Sequence, residues 1–119
     1  MKYLKYPILY LNNIDFKDDK LLELSDSKKH LPVIIMIQSS NCSKCFEEKS
    51  KFQSFCKEYE DKVLCATIEI DGKSIGEQKL ANRLLSIKPD FVNVPEYMMY
   101  KNGKRINENI KSTNLKQFL

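Results

Sequence analysis

The feature that most constrains the fold is an uninterrupted apolar run that leads into two closely spaced cysteines. Residues 33–37 (Val-Ile-Ile-Met-Ile) do not alternate between apolar and polar, which is typical of a strand covered on both faces. Cys42 and Cys45 follow, and the segment after them has helical periodicity. Because the two thiols would face each other across one helical turn, they can close and reopen a small disulfide ring. The pattern predicts a redox-active pair at a strand-to-helix junction.

The position of each cysteine predicts a different role. Cys42 would lie at or just before the first helical turn, where free backbone N–H groups and the helix dipole stabilise a thiolate. We therefore expect Cys42 to be the nucleophile. Cys45 would lie one turn further along, on the face packed against the sheet, and is expected to resolve the mixed disulfide formed at Cys42. Lys44 places a positive charge beside the thiolate.

The cysteines also allow other interpretations. A Cys-x-x-Cys pair can supply half of a tetrahedral zinc site, but Cys56 and Cys65 are nine residues apart and form no second close pair. Each of these two is expected to be a small buried thiol, with a bridge between them or a regulatory thiol as the alternatives. The only histidine, His30, is expected to be a surface loop residue. The site is predicted to need no metal and no organic cofactor.

Length and charge limit the classes of protein to consider. Residues 1–119 are expected to form one domain with a core large enough to fold without metal or disulfides. The net charge is +4 with acids interspersed among the lysines, which is typical of a solvated surface and argues against nucleic-acid recognition. No apolar stretch approaches the ~20 residues of a membrane span, and residues 1–11 lack a signal-peptide pattern. We expect a cytoplasmic monomer with no membrane partner, where a Cys-x-x-Cys is more often catalytic than structural.

Hydrophobic periodicity, helix-capping residues and turn signals predict the order of the secondary-structure elements. Ser74-Ile-Gly-Glu77 matches a capping box, and Asn102-Gly103 is a strong hairpin signal. The order β-α-β-α-β-α-β-β-α indicates a mixed sheet between helices, antiparallel at one edge. The predicted strands are 7–11, 33–38, 63–70, 97–100 and 104–106, and the predicted helices are 15–24, 43–59, 75–86 and a short last one capped by Ser112 or Thr113.

Over nearly its whole length the chain resembles the thioredoxin family of thiol-disulfide oxidoreductases. The resemblance rests on residues 42–45 (Cys-Ser-Lys-Cys) after an apolar strand, on the strand 63–70 that leads into Asp71, and on Val94-Pro95 followed by a strand and Lys-Asn-Gly-Lys. It implies the thioredoxin-like α/β fold. That fold is a central mixed β-sheet, with parallel N-terminal strands and an antiparallel C-terminal hairpin, sandwiched by helices.

The resemblance also implies how a substrate would bind. In the family the proline matching Pro95 is cis and lies beside the cysteines, and the residue matching Val94 offers its backbone N–H and C=O to an extended substrate. On residues alone, Pro95 could simply be a trans proline that opens a strand, the commoner case for any X-Pro bond. With the residues flanking the pair, the predicted substrate-binding residues are Asn41, Ser43, Lys44, Val94 and Pro95.

The chain departs from the family pattern near the predicted site. The buried acid six residues before the first cysteine is Met36 here, and the lysine that accompanies it is Thr67. Cys45 therefore needs another proton-handling group, with Glu48 or Glu69 as candidates, or it resolves more slowly. Further departures are Gln38 and Asn41 in place of tryptophans, Ser43-Lys44 in place of Gly-Pro, Glu96 in place of threonine, and extra residues at 86–93 close to the predicted substrate groove.

These observations predict a thioredoxin-like enzyme that reduces or isomerises protein disulfides. Its partners would be disulfide-containing proteins as substrates and a small thiol or a flavoprotein reductase as the electron donor. Two alternatives remain open. One is a non-catalytic thioredoxin-fold binding module whose pair is a structural disulfide or a metal clip. The other is a glutaredoxin-like, glutathione-dependent reductase, although the Gly-Gly-containing motif expected after the cis proline is replaced by Lys101-Asn102-Gly103.

Overall fold

A five-stranded mixed sheet with helices on both faces forms the fold, in a computed structural model that describes residues 1–24 and 30–119. The strands are β1 (Leu9–Tyr10), β2 (Phe16–Lys17), β3 (Lys20–Leu21), β4 (Val33–Gln38), β5 (Leu64–Glu69), β6 (Glu96–Lys101) and β7 (Lys104–Ile106). The helices are α1 (Ser43–Glu58), α2 (Ile75–Asn82) and α3 (Leu84–Ile87), and short 3₁₀ turns form at Asn13–Asp15 and Leu115–Phe118.

The main sheet has the strand order β1-β5-β4-β6-β7, with β4 at its centre. β4 pairs in parallel with β5 and antiparallel with β6, so that Met36 lies between Thr67 and Tyr97. β6 and β7 form the predicted hairpin, and Asn102 and Gly103 take the positive φ values of 53° and 80° that its tight turn requires. The predicted α/β architecture, a mixed sheet between helices that is antiparallel at one edge, is confirmed.

The side chains of β4 alternate between two apolar cores. Ile34 and Met36 pack in the core beneath α1, whereas Ile35 and Ile37 pack in the core beneath α2 and α3. All four are 0% exposed, as expected of a central strand covered on both faces. This strand therefore gives the loop that follows it a rigid support.

The helix predicted over residues 15–24 is wrong. The segment instead forms a 3₁₀ turn capped by Asn12 and then the β2–β3 hairpin, which pairs Phe16 with Leu21. Asp15 accepts the Asn12 backbone N–H, and Asp18 adopts a φ of 55° in the hairpin turn. Phe16 and Leu21, two apolar residues five positions apart, lie opposite each other in the hairpin. Both are buried in the core beneath α2.

Two later helices differ from their predicted bounds. The helix expected at 75–86 begins at the predicted Ser74 cap but is interrupted at Arg83, so it forms α2 and α3. The Arg83 guanidinium donates to the Asn13 carbonyl at 3.1 Å, which ties this break to the N-terminal turn. The predicted last helix is only a 3₁₀ turn preceded by Asn114, because the Ser112 hydroxyl donates to Glu48 and does not cap it.

Cys56 and Cys65 are joined by a disulfide, so the expectation of two separate buried thiols is wrong. Cys56 lies on the sheet-facing side of α1 and is 0% exposed, and Cys65 lies on the facing side of β5 and is 2% exposed. Their Cα atoms are 6.0 Å apart. The bond fastens the C-terminal half of α1 to the sheet.

None of the helices formed by residues 1–24 and 30–119 is long and apolar enough to cross a membrane.

Candidate active site

The cysteine pair lies where β4 turns into α1. β4 ends at Gln38, residues 39–41 form a short turn, and Cys42 is the N-cap of α1 with an extended backbone (φ −95°, ψ 106°). The Cys42 sulfur accepts the backbone N–H of Cys45 at 3.2 Å, one of the N–H groups that the start of a helix leaves free. Because of this position, negative charge on the Cys42 sulfur is stabilised by the helix N-terminus.

The two cysteines are bonded to each other, with their Cα atoms 5.2 Å apart. Cys45 is 0% exposed in the core beneath α1, whereas Cys42 is partly exposed at the edge of the same core. Ser43 and Lys44, between them, are exposed on the first turn of the helix. A substrate sulfur can therefore approach Cys42 from solvent but cannot approach Cys45.

The turn before the pair is held by Asp71, which follows β5. Its carboxylate accepts the Ser40 backbone N–H at 2.9 Å, the Ser40 hydroxyl at 2.5 Å and the Asn41 side-chain amide at 3.3 Å. Burial raises the pKa of Asp71, but the hydrogen bonds from Ser40 outweigh it and the net shift is downward. Asn41, a predicted substrate-binding residue, is thus exposed but already bonded to this carboxylate.

The loop before β6 comes close to the reactive sulfur. The Val94 carbonyl oxygen lies 4.0 Å from the Cys42 sulfur, and the Val94–Pro95 peptide bond is cis. The Val94 backbone N–H is donated to the Asn93 side-chain oxygen at 2.8 Å. Glu96 fixes the rest of the loop, because one carboxylate oxygen accepts the Val92 N–H at 3.0 Å and the Asn93 N–H at 3.2 Å.

A groove runs from the first turn of α1 past Pro95 toward the C-terminal segment, and Lys44 and Pro95 both line it. Its floor carries an ion-pair network: the buried Lys88 ammonium lies 3.2 Å from Asp90 and 3.0 Å from Glu96. Arg105 bonds Asp90 at 2.9 Å, and this hydrogen bond, with that from Lys88, lowers the pKa of Asp90. Residues of the longer 86–93 segment therefore border the groove.

A neutral hydrogen-bonded chain occupies the buried space between the sheet and α1. The Gln38 side-chain amide donates to the Thr67 hydroxyl at 3.1 Å, and that hydroxyl donates to the Met36 carbonyl at 2.7 Å. Gln38 is 0% exposed, and its side-chain oxygen has no hydrogen-bond partner in the described part of the chain. Because Met36 and Thr67 cannot ionise, neither can transfer a proton to Cys45.

The two acids predicted as replacements differ in their surroundings. Glu48 accepts hydrogen bonds from the Tyr97 hydroxyl at 2.9 Å and the Ser112 hydroxyl at 3.0 Å, which engages both of its oxygens. Glu69 ends β5 in register with Gln38, and burial followed by repulsion from Asp71 raises its pKa. The raised pKa of Glu69 is displaced in the direction that suits proton transfer near neutral pH.

A residue that the sequence analysis missed lies one turn beyond Cys45. Lys49 is 0% exposed, and its ammonium donates to the Lys2 carbonyl at 2.6 Å and to the Ser39 carbonyl at 2.9 Å. Burial lowers the pKa of Lys49. The sequence did contain a signal, because Lys49 falls at the helical spacing of the buried residues Cys45, Phe52 and Cys56.

Comparison with known proteins agrees with this geometry. The chain is 39% identical over 121 aligned positions to the thioredoxin-like protein 453L of Invertebrate iridescent virus 6, covering 90% of this chain and 85% of that protein. Oxidised mitochondrial thioredoxin 3 of Saccharomyces cerevisiae superposes with a TM-score of 0.61 at 17% identity, over 92% of this chain and 91% of the yeast protein. Oxidised thioredoxin O2 of Arabidopsis thaliana superposes with a TM-score of 0.58 at 18% identity, over 92% of this chain and 89% of the Arabidopsis protein. No family model matches the chain.

The fold, with a cysteine pair at the strand-to-helix junction, defines a thiol-disulfide oxidoreductase of the thioredoxin class. The level of identity to the viral protein makes the relationship specific: the chain belongs to the thioredoxin-like family.

Proposed function

We propose that this protein reduces or isomerises disulfides in other proteins, with Cys42 as the nucleophile and Cys45 as the resolving thiol. The observation that carries the proposal is the asymmetry of the pair. Cys42 is partly exposed at the cap of α1, while Cys45 is bonded to it from a fully buried position. Such an arrangement lets only one sulfur meet a substrate and keeps the other within reach for the second step.

The reaction balances without any bound cofactor. The Cys42 thiolate attacks one sulfur of the substrate disulfide and displaces the other as a thiolate, which gives a mixed disulfide. Cys45, once deprotonated, attacks the Cys42 sulfur and displaces the second substrate thiolate. Two electrons and two protons pass from the cysteine pair to the substrate, and the pair ends as the Cys42–Cys45 disulfide.

An extended substrate segment would lie along residues 93–95, with its disulfide over Cys42. Support for this comes from the Val94 carbonyl, 4.0 Å from the Cys42 sulfur, and from Pro95 and Lys44, which line one groove. Main-chain hydrogen bonds to Val94 would hold the segment as an added strand. Asn41, Ser43 and Lys44 are exposed beside the pair and would border the bound peptide.

The returning electrons would come from a small thiol or a flavoprotein reductase, since the pair must be reduced again after each turnover. We place the reaction in a reducing compartment, the cytoplasm. We further propose that the protein acts as a monomer with one domain over residues 1–119.

Reduction of insulin disulfides by dithiothreitol, with the protein as catalyst, tests the proposal. Cys42→Ser is expected to abolish catalysis, and Cys45→Ser is expected to accumulate a mixed disulfide visible as added mass. The double variant Cys56→Ser/Cys65→Ser is the matched control, because it removes one cysteine far along α1 and its partner on β5, both away from the reactive pair, and should retain turnover. Equal turnover in Cys42→Ser and the parent would rule the proposal out.

A second candidate, a binding module with a fixed disulfide, is favoured by one observation: the neutral Met36 and Thr67 leave Cys45 without an ionisable group at the family's usual position. Titration of the pair against glutathione separates the two. A potential between roughly −270 and −120 mV allows exchange with cellular thiols, whereas one below about −300 mV makes the pair a permanent crosslink.

A further inference from the structure

Lys49 is a fully buried cation on the sheet-facing side of α1. Its ammonium bonds two backbone carbonyls, those of Lys2 and Ser39, and within residues 1–24 and 30–119 it forms no ion pair with a carboxylate. Removing a lysine ammonium from water costs several kcal/mol unless other charges compensate. The ammonium also lies 5.7 Å from the centre of the Phe46 ring, and because no carboxylate of the described residues touches it, a thiolate formed at Cys42 can serve as a further counter-charge.

The position of the ammonium relative to Cys42 follows from one shared acceptor. The Ser39 carbonyl accepts the Lys49 ammonium at 2.9 Å and also lies 3.4 Å from the backbone nitrogen of Cys42, which donates to it. Helical side chains lean toward the helix N-terminus, so the Lys49 side chain runs from its own turn past that of Cys45 toward the start of α1. The ammonium and the Cys42 backbone N–H therefore share one acceptor, which brings the positive charge close to the cap that carries the reactive sulfur.

Carboxylates near this cap act in the opposite direction. Asp71 is bonded to the residues just before Cys42, and its negative charge disfavours a second anion there. Burial lowers the pKa of Lys49, while the charges of Glu69 and Asp71 raise it and so favour the ammonium form. Charged groups on the elements around the cap include Lys2 in the N-terminal segment, Lys44, Glu47, Glu48 and Lys49 on α1, Glu69 on β5, Asp71 after it, and Glu96 on β6.

We propose that Lys49 is a positioning residue that stabilises the Cys42 thiolate from inside the protein. It acts through the helix cap, touches no substrate, and offsets the charge of Asp71. The proposal builds on the proposed function, because it assigns the group that prepares the nucleophile of that reaction. An opposite charge within about 6 Å changes a pKa by about one to three units when solvent does not screen it.

The test compares Lys49→Met with Lys44→Met in the reduced protein. Thiolate absorbance at varied pH, measured in a Cys45→Ser background so that Cys42 is the free thiol of the pair, gives the pKa of Cys42 without any substrate. Lys49→Met is expected to raise this pKa by about one unit and to lower the thiolate fraction at neutral pH up to tenfold. The exposed Lys44 is screened by water and salt, so the effect of Lys44→Met should be smaller and vanish in 1 M salt, whereas that of Lys49→Met should persist. An unchanged Cys42 pKa in folded Lys49→Met overturns the proposal.

If Lys49→Met does not fold, a measurement on the parent protein still tests whether the Lys49 ammonium interacts with the Cys42 thiolate. In protein with ¹⁵N-labelled lysine, the Lys49 ammonium signal should shift with pH at the midpoint of the Cys42 titration in the reduced form and show no such step in the oxidised form. A signal that does not respond to thiolate formation overturns the proposal. The outcomes are separate from the proposed function: a parent protein that fails to reduce insulin refutes that function, whereas the Cys42 pKa alone decides the role of Lys49.

Discussion

The Asn93 side-chain oxygen accepts the backbone N–H of Val94 at 2.8 Å, and so occupies the donor that an incoming substrate strand would use. The preceding two N–H groups, of Val92 and Asn93, are both donated to Glu96. All three consecutive N–H groups before Pro95 are therefore satisfied within the chain. A substrate backbone that binds here has to displace the exposed Asn93 side chain first.

This contact predicts opposite effects for two substitutions at Asn93. Asn93→Ala frees the Val94 N–H, so KM for a disulfide peptide should fall about two- to tenfold, the equivalent of one ordinary hydrogen bond, with kcat unchanged. Asn93→Asp strengthens the internal acceptor and should raise KM. Steady-state kinetics on both variants measures KM and kcat separately. Asn82→Ala, which removes an exposed asparagine at the end of α2, is the control. A KM that stays constant across both Asn93 variants would show that substrates do not use the Val94 N–H.

The two disulfides are predicted to differ strongly in reactivity. Cys56 and Cys65 are 0% and 2% exposed, whereas Cys42 is partly exposed at the start of the same helix. Cys56 lies eleven residues beyond Cys45, roughly 16 Å along the helix axis, so the two pairs cannot exchange directly. A folded protein treated with dithiothreitol and then iodoacetamide should be labelled at Cys42, the partly exposed sulfur, and not at the buried Cys56 or Cys65. Four labels should appear only after unfolding in guanidinium, and four under native conditions would contradict the prediction.

The sequence predicted the elements around the cysteine pair well because the signals for those elements are local. The covered strand β4, the N-cap position of Cys42 and the hairpin at Asn102 depend on neighbouring residues, and each is present. The sequence offered the Cys56–Cys65 bond only as an alternative to two separate thiols, because the bond depends on how α1 is rotated against β5. A pattern of residues along the chain does not give that rotation.

Other features were missed because a competing contact decides them. The β2–β3 hairpin replaced the predicted helix because the backbone becomes extended at Phe16, which pairs with Leu21 and is buried with it. Lys49 reads as a surface lysine beside Glu48, and only its place in the apolar stripe indicates otherwise. Its burial depends on two acceptors, the carbonyls of Lys2 and Ser39, which are distant in sequence.

The Asp71 carboxylate predicts how acid affects the loop before Cys42. Hydrogen bonds from Ser40 outweigh burial and lower the pKa of Asp71, so the carboxylate stabilises the fold above its unfolded pKa near 4 and loses this effect as pH falls through the lower folded value. Asp71→Asn should lower the free energy of unfolding by about 1 to 2 kcal/mol at pH 7. Urea unfolding of both proteins should show that the difference in free energy of unfolding between the parent and Asp71→Asn becomes smaller below about pH 4. Asp61→Asn, at an exposed turn, is the control, and a gap that does not change with pH would contradict the role of the charge.

Tyr100 predicts a loss of stability at alkaline pH. It is 0% exposed, its hydroxyl donates to the Asp19 carbonyl at 2.9 Å, and burial raises its pKa to about 12. Because the unfolded tyrosine ionises near pH 10 and the folded one does not, the unfolded state binds fewer protons above pH 10. The free energy of unfolding therefore falls there, by up to about 1.4 kcal/mol per pH unit from this residue.

Tyr100→Phe tests this because it keeps the ring and removes the ionisable hydroxyl. At pH 8 the variant should be about 1 kcal/mol less stable than the parent, since one hydrogen bond is lost. Between pH 10 and 11.5 the difference should shrink and then reverse, because only the parent has to keep a buried Tyr100 hydroxyl protonated. Urea midpoints at several pH values measure the change, with the exposed Tyr6→Phe as the control that should follow the parent. A constant gap between Tyr100→Phe and the parent across this range would mean that the Tyr100 hydroxyl ionises as readily in the folded protein as in the unfolded chain.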